Sequence, residues 1–211
     1  MKWELLLKTV GDEPVFTSSL LMAGKQHRSD IQLQLARWGK AAKIIQLRRG
    51  LYLLANPYRK VEPHPFIIAN SIKNASYVSL QSALSFHGMI PENVPVVTSV
   101  TTARPETINT AEGTFIFKQI KKSLFNGYFR REAVDRQSFF IATPEKSLLD
   151  LIYLTPGGHK LEYLRELRLQ NFDRLDLKVL KQSAKGSGIL KLQLAVKNLI
   201  EIIGTEDYRD L

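Results

Sequence analysis

The chain has 211 residues, 30 Lys plus Arg against 20 Asp plus Glu, and no cysteine. That length suits one large domain or two small ones, and zero cysteine excludes a disulfide scaffold, a thiolate zinc site, an iron-sulfur cluster or a catalytic cysteine. At 44% apolar and 24% charged residues, the chain can build a real core. The opening Met1-Lys2-Trp3-Glu4 lacks the basic-then-apolar pattern of a secretory signal, and no run reaches the about 18 apolar residues of a membrane span. The expectation is a cytosolic protein with no membrane association.

The net charge of +10 favours polyanionic partners, and its distribution is uneven. Residues 1–60 hold 11 Lys plus Arg against 4 Asp plus Glu, residues 61–160 hold 10 against 8, and residues 161–211 hold 9 against 8. One small module carries the field. Taken alone, such a run is also what a solvated basic face looks like.

Trp3, Leu5, Leu6, Leu7 and Val10 predict a short helix closed near Gly11, with Pro14 preventing its continuation. Phe16-Thr17-Ser18-Ser19-Leu20-Leu21-Met22 offers a hydroxyl cap and an apolar turn, so a second helix is expected, ended by Gly24. Ser29 is positioned to cap a third. At 100° per residue, Ile31, Leu35 and Trp38 fall on one face with Gln34 at its edge, while Ser29, Leu33, Ala36, Arg37 and Lys40 fall opposite, with Gln32 and Asp30 at the margins. After Gly39, Lys43 to Arg48 reads as a strand, Arg49-Gly50 as a turn and Leu51 to Leu54 as a returning strand. Three helices and a basic hairpin predict a winged helix-turn-helix.

In that fold the third helix offers side chains to base edges and the hairpin reaches phosphates or the adjacent minor groove. The predicted DNA-contacting residues are Arg28, Ser29, Gln32, Leu33, Arg37, Lys40, Lys43, Arg48 and Arg49. Gln32 or Gln34 could pair with adenine and Arg37 with guanine, the helix phase favouring Gln32. Leu33 is ambiguous: it meets a thymine methyl, or this face packs on the second domain. The same elements also make protein-docking modules.

Pro57, Pro63 and Pro65 place a module boundary near residue 60. Beyond it the sequence predicts a helix from Pro65 through Ile72, a short extended piece Tyr77-Val78-Ser79, and a helix capped by Ser79 with Leu80, Ala83, Leu84 and Phe86 inward. Strands are expected at Val94 to Thr101, Thr114 to Ile120 and Phe139 to Ala142. Thr143-Pro144-Glu145 opens a helix stopped by Pro156-Gly157-Gly158. Helices over Leu161 to Gln170, Leu177 to Ser183 and Ile189 to Ile203 complete the chain. The fold class is α+β: an N-terminal winged helix-turn-helix over residues 1–60, then a mixed α/β domain over 61–211 with a helical C-terminal tail.

Catalytic chemistry is not visible. His27, His64, His87 and His159 are dispersed, and neither HExxH nor a phosphate-cradling glycine loop occurs. Ser79 and Ser82 have no general-base context. Glu145, Lys146 and Asp150 could surround a metal in a nuclease, yet a helix start explains Glu145 without one. The expectation is a non-enzyme with no cofactor and no metal.

Arg48-Arg49-Gly50-Leu51-Tyr52, then Tyr77-Val78-Ser79-Leu80-Gln81-Ser82-Ala83-Leu84 with His87-Gly88, then Gly113-Thr114-Phe115, then Ala142-Thr143-Pro144-Glu145-Lys146-Ser147-Leu148-Leu149-Asp150 resemble, in order, the AbiEi antitoxin family. These are the transcriptional regulators of AbiE-type abortive-infection toxin-antitoxin systems. The resemblance covers residues 15 to 155. It implies a bacterial or archaeal repressor that binds inverted repeats in its own promoter, and a second domain that counters a nucleotidyltransferase-like toxin without a stable complex. Some relatives append a nuclease-like domain, and this chain has neither the length nor the motif for one. The sequence therefore points to a DNA-binding repressor and antitoxin in phage defence. Its rivals are a module docking on an acidic protein partner and a metal-dependent nuclease.

Overall fold

Glycine ends the first helix because the chain must turn left-handed there. In the computed structural model, which describes residues 1–22, 27–133 and 137–206, α1 (Trp3–Val10) buries Leu6 and Val10, and Gly11 at φ 59° donates its N–H to the Leu7 carbonyl. A two-residue strand β1 (Phe16–Thr17) follows, then α2 (Ser18–Leu21), α3 (Arg28–Lys40) and the hairpin β2 (Ile44–Arg48) and β3 (Leu51–Leu54). Strand β3 is the centre of an antiparallel sheet ordered β1-β3-β2. The helix expected after a hydroxyl cap is present but short: α2 is a single turn with Thr17 at its N-cap. Phe16 ahead of it pairs with Tyr52, on which its ring stacks at 5.7 Å. Gly24 lies outside the described residues.

The remainder is built on a mixed six-stranded sheet. Its elements are α4 (Pro65–Ile72), β4 (Ser76–Val78), α5 (Leu80–Phe86), β5 (Val97–Thr101), β6 (Glu106–Thr110), β7 (Gly113–Gln119), β8 (Tyr128–Glu132), β9 (Ser138–Ala142), α6 (Pro144–Leu154), α7 (Leu161–Glu166), α8 (Leu177–Gly186) and α9 (Leu190–Glu206). Strand order is β6-β7-β5-β4-β9-β8, with β5–β7 and β4–β9 parallel. The architecture is mixed α and β, with two sheets among the described residues. Strands β6 and β8 escaped the sequence reading because they are edge strands. All five residues of β8 are exposed, and an edge needs no apolar face.

Each face of the large sheet carries its own core. Tyr77 and Val100 meet Leu148, Ile152, Leu180 and Leu199 on the helical side. On the other side Val78, Phe117 and Ile141 meet Ile68 and Ile72 of α4, and the same cluster includes Leu47, Leu51 and Leu53 of the hairpin. The apolar core therefore crosses the boundary expected at residue 60. Polar ties reinforce it. Arg59 bonds both Glu62 and Glu112 at 2.7 Å. Phe86 departs from its expected inward place. It is 41% exposed and leans edge-on against Phe139.

Candidate nucleic-acid interface

Helix α3 presents the phase that its sequence prescribes. Ile31, Leu35 and Trp38 are buried and Gln34 is half-buried, whereas Arg28, Ser29, Asp30, Gln32, Leu33, Ala36, Arg37 and Lys40 are exposed. His27, not Ser29, is the N-cap residue. Ser29 lies within the first turn, so its hydroxyl is out of place for the cap and faces solvent. Leu33 is 53% exposed. Among the described residues the second region does not cover this face.

The hairpin rises beside α3 and encloses a cleft of about 640 Å³, lined by Arg28, Gln32, Lys40, Gln46, Arg49 and Tyr52 among others. Gly50 at φ 84° makes the hairpin turn, and its carbonyl accepts from the Ser18 N–H at 2.9 Å. That bond ties the tip to α2. Among the described residues Arg28, Lys40 and Arg49 form no ion pair. A concave surface lined by unneutralised long cations and amide side chains suits a phosphate backbone with base edges beside it.

Two predicted contacts are turned elsewhere. The Arg48 guanidinium donates to the Ile72 carbonyl at the end of α4, where helix carbonyls lack partners. Lys43 holds its ammonium over the Trp3 ring, 4.9 Å from the centroid, and 5.8 Å from that of Tyr58. A cation over aromatic faces gains cation–π attraction that open solvent would not give it. Neither residue leads into the cleft with Arg49. Leu33 and Arg37 lie on the far side of the exposed helix face, outside the cleft lining. Gln46 and Tyr52 were not anticipated. Strand alternation places Gln46 on the exposed side of β2, and only the fold of the hairpin over α3 turns that side into a cleft wall.

The second polar centre lies in the large domain. Asp150 is 1% exposed; its Oδ1 accepts from Lys146 Nζ at 2.5 Å, and its Oδ2 from Ser79 Oγ at 2.8 Å and Tyr77 OH at 3.0 Å. Burial raises the Asp150 carboxyl above its ordinary range, against the pull of Lys146, Ser79 and Tyr77. Ser79 is the N-cap residue of α5, yet its side chain serves Asp150 instead of the cap. Thr143, as expected, caps α6 through the Lys146 N–H.

Glu145 faces away from Asp150, and its Oε1 accepts from the Asp176 N–H at 2.8 Å, joining α6 to the start of α8. Glu145 and Asp150 therefore do not converge, and among the described residues no three His, Asp or Glu side chains gather as metal ligands. Two of the histidines have evident structural partners. His64 Nδ1 accepts from the Phe66 N–H, and His87 Nε2 bonds the Ala142 carbonyl at 2.8 Å. Burial lowers both imidazoles below their ordinary value. No helix of the described chain is long and apolar enough to cross a membrane. No protein-family model matches the chain, and no curated protein matches it.

Proposed function

We propose that residues 1–60 form a winged helix-turn-helix that binds double-stranded DNA, and that the chain is a transcriptional repressor and antitoxin of the AbiEi kind. The observation that carries this reading is the cleft between α3 and the hairpin, with Arg28, Lys40 and Arg49 around Gln32 and without an ion pair among the described residues. The element order helix, strand, helix, helix, strand, strand, with β3 central in the small sheet, supports the winged form. In this reading α3 lies in the major groove, Gln32 reads a base edge from the cleft and Arg37 one from the adjoining exposed side of the helix, at about 1–3 kcal/mol per good bidentate pair, and Arg49 meets backbone or minor groove.

Arg48 then acts as a brace for the wing and not as a DNA ligand. The site on DNA is an inverted repeat in the chain's own promoter, and the protein acts in the cytoplasm. The large domain would counter a nucleotidyltransferase-like toxin, a role that rests on the resemblance of residues 77–88 and 142–150. No cofactor enters this function. Retention of a duplex from the upstream intergenic region, compared with a shuffled duplex of equal length, tests it. Preference for the natural duplex is expected. Equal weak retention of both, with tight binding of an acidic protein, would replace this reading by a docking module.

A further inference from the structure

The large domain holds a concavity of about 220 Å³, remote in function from the α3 cleft and independent of the DNA-binding reading. It is bounded by α6, by Ser123 and Asn126, by the end of α8 and by the first turn of α9. Its floor is the Lys146–Asp150 pair. Three donors serve the Asp150 carboxylate, as described above, and two of them, Tyr77 and Ser79, hold Oδ2. Lys146 is less fully used. An ammonium carries three N–H groups, and Asp150 takes one.

The Lys146 stem also has a close neighbour. Gly127 packs against it so closely that an added Cβ would sit 3.1–3.2 Å from the stem carbons. Ser123 and Ser183, both exposed, line the same space, and their hydroxyls make no hydrogen bond among the described residues, while Leu124, Leu149 and Leu192 supply an apolar wall. The pair is not sealed by the fold: it borders a cavity that Ser123, Asn126 and Ser183 also line.

We propose that this pocket binds a small organic carboxylate, its oxygens taking the remaining Lys146 N–H groups and the Ser123 and Ser183 hydroxyls, and its apolar body lying on Leu124, Leu149 and Leu192. A monoanion fits better than a dianion, because the single ammonium already has one carboxylate beside it. Convergent polar groups beside an apolar wall are features that small-molecule sites share.

The test is titration of 4-fluorobenzoate into the full chain, followed by fluorine NMR, with inorganic phosphate as a competitor. Saturable broadening of the fluorine line is expected. Lys146→Met, which keeps the stem against Gly127, should weaken binding about tenfold, the worth of a charged hydrogen bond. Ser183→Trp, at the exposed rim, should abolish it while leaving the unfolding temperature in place, and it serves equally if Lys146→Met does not fold. An unsaturable response, or affinity retained in Ser183→Trp, would overturn the site. Displacement by phosphate at concentrations similar to those of the carboxylate would overturn the carboxylate assignment.

Discussion

Arg48 donates to the main-chain carbonyl of Ile72, the last residue of α4, so the hairpin tip is fastened to the large domain by a cation on a helix end. The terminal carbonyls of a helix have no partner within it, and a positive charge there is favourable. The next residue, Arg49, is exposed and lines the α3 cleft. Neighbours in sequence thus have different tasks.

Arg48→Ala should lower the unfolding free energy by about 1–2 kcal/mol, the loss of one charged hydrogen bond. Arg49→Ala should stay within about 0.5 kcal/mol of the wild type, as exposed residues without partners do. Urea unfolding of the two variants side by side measures the difference. Equal losses would contradict the assignment of Arg48 as a brace.

The phase of α3 makes a second contrast. Ile31 is fully buried and Leu33, two residues on, is 53% exposed. Ile31→Ala should cost about 2–5 kcal/mol through the cavity it leaves, and Leu33→Ala should be nearly neutral in stability. Thermal unfolding is sufficient to separate them.

This phase was readable because α3 is long and its burial is one-sided, so Ile31, Leu35 and Trp38 recur at helical spacing. The same holds for α6, whose Thr143 cap and Pro144 announce its start. What stayed hidden depended on distant parts of the chain. Phe16 is a strand residue only because β3 lies alongside to pair with it, and Arg48 and Lys43 are indistinguishable from Arg49 until Ile72 and Trp3 are placed beside them. The Asp150 centre left a trace, two charges at i and i+4 on an apolar helix. Nothing local to that helix could show that Tyr77 and Ser79, some seventy residues away, complete it.

Gly127 offers a test of how tightly Lys146 is held. Its φ of 71° is left-handed, and a Cβ added there would press on the Lys146 stem at 3.1 Å, which would have to yield by a few tenths of an ångström. Gly127→Ala should destabilise the chain by about 1–3 kcal/mol, more than left-handed strain alone accounts for. Denaturant titration measures it. A neutral outcome would show that the Lys146 stem can give way.

Mild acid should weaken the fold through its half-buried imidazoles. Burial depresses His87 below its ordinary value of 6.5, so the unfolded chain takes up the proton first. The contribution is fully present above that value and is lost as pH falls through the depressed one. Unfolding free energy should therefore decline as pH falls below the ordinary value of 6.5, and less steeply in His87→Gln, which can still donate to the Ala142 carbonyl. Chemical denaturation across that range gives both slopes.

The central claim is that the cleft beside α3 meets a DNA backbone, and the salt dependence of affinity for the upstream duplex tests it most directly. Each phosphate contact contributes about one unit to the slope of log affinity against log salt. The triple variant Arg28→Ala, Lys40→Ala, Arg49→Ala should lower that slope by about two to three units, whereas Lys43→Ala, whose ammonium sits over Trp3, should leave it unchanged. A triple variant that keeps the wild-type slope would contradict the account.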